Sequence, residues 1–522
     1  MDFDAVIIGA GHNALAAGVH LASRGWSVGI FERNETAGGA VRTEESTLPG
    51  FRHDLYAMNL SLFAGSPFVA EHGEALRAHG LAFAPAEHCF ASPMRDGNWF
   101  GVSKDLPTTL ARIEKFSHED AKTWAGMFER FGSDAPHIFA LLSSPMTPRA
   151  LIAYAWKAWR AKGIAWLMET ERLLVSSPRE FLERNFESRE IQATMAAWGM
   201  HLDFPPDIAG GALFPYLESM ANQAFGMVIG QGGADTMIKA LVARLEALGG
   251  KVHLNIDVTE VRRESGRAVG IRLANGATVE ARRAVIAGVT PNALASKLLP
   301  GGSGDSGFDR AARKFTHAAG TMMLHLAMSD LPDWKAGNEL KTFAYVHLAP
   351  DLGMMGRAYS EAMSGLLPTE PVLVVGQPTA IDPSRAPEGR HILWVQVRVV
   401  PAQIRGDAAG KIAAGDWASA KEAYADRVLE IIEGYAPGTK AKVLARYIES
   451  PADLERRNPN LVGGDQLGGS HHLSQNFMFR PFPGWARWVT PVKDLYMVGA
   501  STWPGAGTGA GSGYMLAKML AP

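Results

Sequence analysis

Residues 3–32 order themselves as strand, glycine turn, helix, strand and terminal acid, and few folds accommodate that order. Phe3 to Ile8 is a β-branched apolar run suited to a strand buried on both faces. Gly9, Gly11 and Ala14 follow as G-x-G-x-x-A, with Asn13 inside the motif, and Leu15 to Arg24 has helical composition. Gly9 permits the tight turn, Gly11 lets main chain approach a pyrophosphate, and Ala14 allows close helix-to-strand packing. The helix N-terminus then offers free amides and a positive dipole end to the phosphates. A second strand, Ser27 to Phe31, ends at Glu32, about 20 residues past the glycines, where a carboxylate accepts hydrogen bonds from an adenosine ribose.

At 522 residues the chain exceeds what one hydrophobic core supports, so two domains or one composite unit are expected. A formal net charge of -2 gives no basic field, which disfavours nucleic acid as a partner. Cys89 is the single cysteine, which excludes an intramolecular disulfide and a cysteine-rich metal cage and fits a reducing compartment. The N-terminus enters a strand at once, without the pattern of a secretory signal, and no long uninterrupted apolar stretch follows. The expected location is cytoplasmic, without a membrane span.

A second glycine run, Gly505, Gly507, Gly509, Gly511 and Gly513, lies near the other end. It cannot be another dinucleotide fingerprint, because too few residues remain after it for a βαβ unit of ~30 residues. Leu495 to Ala500 reads as a strand, Pro504 breaks the chain, and Gly513 to Leu520 reads as a closing helix. Such a loop presents amides to whatever lies above it.

Glu32 followed by Gly38-Gly39 resembles the FAD enzymes of the amine oxidase and phytoene desaturase superfamily. Pro49–Phe63 and Phe477–Ser501 are most similar to its phytoene-dehydrogenase-like branch. The resemblance implies FAD as cofactor, held at Gly38 and Gly39, within a loop that also carries Arg33, Ala40 and Val41. It implies adenine beside Val258 and a return of the chain to the cofactor at Ala287. It sets Gly499, Ala500, Gly507, Thr508 and Gly509 under the flavin, so that both chain ends serve one cofactor. Many members have arginine directly after the double glycine; here Ala40 stands there and Arg42 comes two later.

The implied fold is α/β: a Rossmann-like FAD-binding domain of the GR2 flavoprotein type, with an inserted α+β substrate domain having a mixed or antiparallel sheet and a helical cap. The expected FAD-binding domain comprises residues 1–65, 228–300 and 478–522, and the substrate domain 66–227 and 301–477. Residues 66–225 read as largely helical. Thr321–Met328, Pro371–Gly376 and His391–Val399 read as strands, and Pro300–Asp309 as a flexible connector. Within Leu151–Leu174, Trp156, Trp159 and Trp166 stand among Lys157, Arg160 and Lys162. Two readings are open: a peripheral contact with a membrane interface, or an amphipathic cap helix packing its tryptophans on the core.

Acid–base candidates are few. His471 and His472 precede the Phe477–Arg480 block, where a histidine can accept a proton as hydride leaves. Arg480 can orient an anionic substrate group or pair with a buried acid, and Asn59 borders the flavin by its place after Pro49-Gly50-Phe51. No metal motif and no second nucleotide fingerprint with its own acid is present, so the electron acceptor is oxygen, a quinone or another small molecule. The expected chemistry is hydride transfer from a C–H of an apolar, isoprenoid or lipid-like substrate to flavin N5, forming C=C. The rivals are amine oxidation at C–N, redox-neutral isomerisation on reduced FAD, and a flavin-free lipid-binding scaffold similar to the GDP-dissociation inhibitors.

Overall fold

Ala5 to Ile8 of the first strand are all buried, with no polar face, because the strand has neighbours on both edges and helices on both sides. The computed structural model describes residues 2–522. This strand, β1 (Asp2–Ile8), pairs in parallel with β2 (Val28–Phe31) and with Thr278–Ala287. Lys251–His253 extends the sheet in parallel beyond β2. Thr278–Ala287 is long enough to take two further partners. Its first residues pair antiparallel with Arg267–Leu273, which pairs in turn with Val258–Glu264, and its last three pair in parallel with Leu495–Met497. The helix α1 (His12–Ser23) crosses from β1 to β2, so the strand ends at Ile8, Phe31, Ala287 and Met497 share one rim of the sheet.

A second sheet runs in the order Val443–Glu449, Gly320–Met328, His391–Val400, Val372–Gly376, Tyr345–Leu348, His88–Pro93 and Trp99–Ser103. Its neighbours are antiparallel except Tyr345–Leu348 beside His88–Pro93. One face, including Leu324, Leu326, Val395 and Val397, packs with Tyr424, Val428 and Ile432 of the helix Trp417–Tyr435. The other, including Met323, Trp394 and Tyr345, shares a core with Leu55, Tyr56, Met58 and the helices Arg189–Met200 and Leu213–Phe225. The expected architecture is therefore present: a Rossmann-like sheet and a mixed sheet with a helical cap.

One local expectation changes and two are sharpened. Residues 66–225 are largely helical, as expected, but His88–Pro93 and Trp99–Ser103 interrupt them with a hairpin across Asp96-Gly97, with Phe90, Phe100 and Val102 completely buried in the second sheet. Pro300–Asp309 is not a loose connector. Asp305 caps the helix Ser306–Arg313 by accepting from Phe308 N at 2.9 Å, and the Asp309 carboxylate accepts from Ser303 N at 3.0 Å.

The tryptophan-bearing helix, Pro148–Val175, does not pack its indoles on the core. Ala158 is its one fully buried residue, and the chain breaks helical geometry at Gly163, where φ is 83°. Trp156 and Trp159 are 56% and 44% exposed and pack on each other, 5.0 Å apart. Trp166 is half-buried and donates to Asp134 Oδ1 at 2.8 Å.

The two glycine segments meet in space. The terminal helix, Gly511–Leu520, lies on α1 so closely that a Cβ at Gly513 would come within 1.8 Å of the Asn13 carbonyl oxygen. Both contacting groups are main chain, so neither can yield by a rotamer change. Gly513→Ala should lower stability by about 1–3 kcal/mol and reduce flavin content, read as the melting midpoint and the visible absorbance of the purified protein.

Candidate active site

Ten helices among the described residues begin with a side-chain cap from Ser, Thr or Asp. α1 does not: its N-cap is Gly11, and no side chain satisfies its first amides. A Cβ built on Gly11 meets nothing within 4 Å. Open space thus lies before a helix end with free donors, as a diphosphate requires. Gly9 has φ +86° and donates from N to the Phe31 carbonyl at 2.8 Å, which ties the turn to the end of β2. Ala14 is buried and lies close to Gly288.

Glu32 is only 6% exposed. Its Oε2 accepts from Ala10 N at 2.8 Å and its Oε1 from Asn34 N at 2.9 Å. Each carboxylate oxygen keeps a lone pair, and main chain on both sides fixes the carboxyl plane. Gly38 donates from N to the Ala10 carbonyl at 2.9 Å, and Gly11 and Gly38 form an isolated parallel bridge. At Gly38 φ is +128°, and a Cβ there would lie 2.3 Å from the Val41 carbonyl oxygen, so the position admits only glycine. Gly39 lies over Gly11, with Ala40 half-buried beside it and Val41 fully inside the core. Arg33 is exposed, and Arg42 pairs with Glu44 at 2.8 Å.

The C-terminal loop closes onto this cradle. His12 Nε2 lies 3.2 Å from the Gly507 carbonyl, and Asn13 Oδ1 accepts from Gly513 N at 3.3 Å. Asn13 therefore joins the two segments, a role its place inside the fingerprint does not reveal. Thr508 donates to the Asn59 carbonyl at 3.2 Å, and Gly507 and Gly509 both pack against Leu62. Asn59 turns its own Oδ1 onto Ser61 N at 2.8 Å, so its main chain rather than its amide touches the glycine loop. Gly499 has φ +120° with open space above it. Ala287 ends its strand between Ile8 and Met497, and Val258 opens the outer antiparallel pair.

Arg480 takes a different part from the one its charge suggests. Its guanidinium is fully buried, and all three nitrogens donate to carbonyls, including those of Ala500 at 2.6 Å, Gly468 at 2.9 Å and Ser470 at 3.0 Å. It clamps the 467–470 loop to the strand end at Ala500 and leaves no donor for a substrate. His471 accepts from Ala506 N through Nε2 at 3.0 Å, and burial with Arg480 beside it holds the imidazole well below the usual histidine range. That geometry makes His471 a poor proton acceptor. His472 is half-buried, with Nε2 2.7 Å from the Asp203 carbonyl. Burial drives Cys89 up to about 12, so the lone thiol is inert.

The side of the second sheet next to Asn59 is not legible as a site in the sequence. Trp394, Gln396 and Arg398 alternate along one strand and so share a face. Through the register they align with Gly376, Val374 and Val372 and, one strand further, with Tyr345 and His347. Gly376 admits the Met58 thioether and the Trp394 ring over its backbone. The Asn59 backbone lies beside the Tyr345 phenol. The face therefore adjoins the C-terminal glycine loop through Met58 and Asn59.

Residues 15–458 match the family described as flavin containing amine oxidoreductase. A curated relative from Mus musculus, "Pyridine nucleotide-disulfide oxidoreductase domain-containing protein 2", is 28% identical, covering 99% of this chain and 93% of its own. A limonene dehydrogenase polypeptide of Castellaniella defragrans is 26% identical (99% and 94% covered). The neurosporene-forming phytoene desaturase of Cereibacter sphaeroides is 24% identical over the same shares. Among solved structures, an oxidoreductase from Methanosarcina mazei aligns with TM-score 0.65 at 18% identity (99% of this chain, 100% of that one). Putrescine oxidase bound to putrescine aligns with TM-score 0.61 at 16% identity (100% and 98%).

Glu32→Gln would set an amide NH2 against one of the two main-chain N–H groups that now donate to the carboxylate. FAD affinity should fall about 10- to 100-fold, measured by fluorescence titration of apoprotein with FAD.

Proposed function

The chain belongs to the flavin-containing amine oxidoreductase family, and from that premise we propose that it oxidises a C–H bond of an apolar, isoprenoid or lipid-like substrate, leaving a carbon–carbon double bond. It is an oxidoreductase with FAD as its cofactor. When bound, FAD supplies the hydride acceptor at its N5 atom. Gly9, Gly11, Asn13, Ala14, Glu32, Gly38 and Gly39 would hold the adenosine diphosphate half. Gly499, Ala500, Gly507, Thr508 and Gly509 would hold the flavin half, with Val258 near adenine and Ala287 at the sheet rim.

One observation carries the choice of substrate: the face next to Asn59 is built from Met58, Trp198, Tyr345 and Trp394, all buried and mutually packed. Such walls exclude water and favour an apolar chain. Limonene dehydrogenase and phytoene desaturase, by their names, act on such compounds.

The arrangement weighs against an amine. Arg398, buried on the same face, would repel an ammonium group. The two histidines of this face are poor bases, since burial and Arg398 hold His347 down at about 3 and His201 well below its ordinary range. Disulfide chemistry, part of the mouse relative's name, needs a second thiol that this chain lacks.

Among the described residues no helix is long and apolar enough to cross a membrane. We assign the exposed Trp156 and Trp159, flanked by exposed Lys157 and Arg160, to a peripheral contact through which a lipid-dissolved substrate is collected. Electrons pass on to oxygen, a quinone or another small acceptor.

Anaerobic mixing of the flavin-loaded protein with limonene, phytoene and putrescine tests the reading. Loss of the oxidised-flavin absorbance with either apolar compound, and none with putrescine, is the expected result. Reduction by putrescine alone would replace it with amine oxidation.

A further inference from the structure

The layer between the second sheet and the helix Arg189–Met200 holds a buried cation without a counter-ion. Arg398 is 5% exposed. One terminal nitrogen donates to the His201 carbonyl, the C-cap of that helix, which fixes the guanidinium in place. Its Nε has no partner, and among the described residues no carboxylate stands within ion-pair distance of it. The two acids that act on it electrostatically are engaged elsewhere. Asp203 accepts from Ser470 Oγ at 2.6 Å and Tyr359 Oη at 3.2 Å. Asp465 accepts from Gly469 N at 2.6 Å, Leu467 N at 2.8 Å and Ala318 N at 3.1 Å.

Buried polar atoms without partners gather around the same place. They are Trp198 Nε1, Trp394 Nε1, His347 Nδ1 and Gln466 Nε2. The rings interlock: Trp198 lies 5.4 Å from His347 and 6.3 Å from Tyr345, and Tyr345 lies 5.8 Å from Trp394. His201 and His347 approach at 3.2 Å between their Nε2 atoms. Gln466 accepts from Gln396, the residue between Trp394 and Arg398 on the strand face, at 2.6 Å.

Native interiors leave few such groups unpaired, and a buried charge without a partner costs several kcal/mol. Ordered water can satisfy a neutral indole or amide N–H, but it does not neutralise a guanidinium. The set is rich in donors and carries one positive charge, so its complement is an acceptor with one negative charge. A carboxylate meets that description, and a phosphate monoester would bring more charge than one guanidinium offsets.

We propose that this layer binds a carboxylate of the substrate, anchored by Arg398, so that among lipid-like substrates an amphipathic acid is preferred. This rests on the reading that the same sheet face receives the substrate. Trp394 adjoins Met58 and Asn59, and Arg398 stands four residues further along the strand, about 13 Å. The carboxylate is therefore held well away from the flavin-side loops, and the carbon that reacts lies far down the apolar chain.

Isothermal titration of the flavin-loaded protein with dodecanoate and dodecanol tests this without requiring turnover. Wild type should bind dodecanoate about 10- to 100-fold more tightly than dodecanol. R398Q should bind the two equally, with its FAD content unchanged, while R398K keeps part of the preference and W394F, at the end near Asn59, weakens both ligands alike. The proposal falls if wild type shows no preference, if R398Q retains it, or if R398Q alters FAD affinity and leaves dodecanoate binding intact. If R398Q does not accumulate as folded protein, R398K decides the matter: a reduced preference supports the anchor, and an unchanged preference overturns it. Flavin content, read separately by absorbance, reports on the oxidoreductase reading, so the two can fail independently.

Discussion

The main-chain contact between Gly513 and Asn13 is the constraint on which the rest of this structure depends. It sets the terminal helix against α1 at a distance that any side chain would prevent. Every other feature of the cradle follows from that closeness. His12 reaches the Gly507 carbonyl, Asn13 meets Gly513 N, and Thr508 reaches the Asn59 carbonyl. Elements far apart in the chain become one surface because two helix ends, each lacking a side-chain cap of its own, face the same space. Both are poor helix starts in isolation and good anion sites together.

What the sequence makes legible is backbone chemistry. Gly9, Gly38 and Glu32 can be read because each answers a local demand: a positive φ, a close approach, an acid at a strand end. The second glycine run can be interpreted because a glycine loop between a strand and a helix presents free amides. Side-chain roles set by the fold are harder. Arg480 looks like a substrate ligand since its charge is conspicuous, yet seven carbonyl contacts consume its nitrogens, and these arise only when the 467–476 loop and Ala500 come together. Arg398 is inconspicuous because an arginine alternating with apolar residues on a strand reads as an edge or solvent position. Its burial depends on the helix Arg189–Met200 and its C-cap at His201, some two hundred residues away in sequence.

The tryptophan helix illustrates the opposite failure. Its composition allows a core-packed face, and helical periodicity would supply one. Gly163 interrupts that periodicity, and Asp134 captures Trp166 and Lys162 at the helix edge. Trp156 and Trp159 are left to pack on each other outside. Hydrophobicity alone does not decide between the two faces, because the deciding groups are one glycine and one acid on a neighbouring helix.

The union of both chain ends in one cradle also sets an order of events in biogenesis. During synthesis the N-terminal fingerprint emerges first, but it can offer only half of the surface until residue 513 has left the ribosome and docked on Asn13. Cofactor capture is thereby confined to a chain already synthesised through residue 513, and one terminated before it, however well its first sheet folds, would carry a nucleotide turn with nothing to close it.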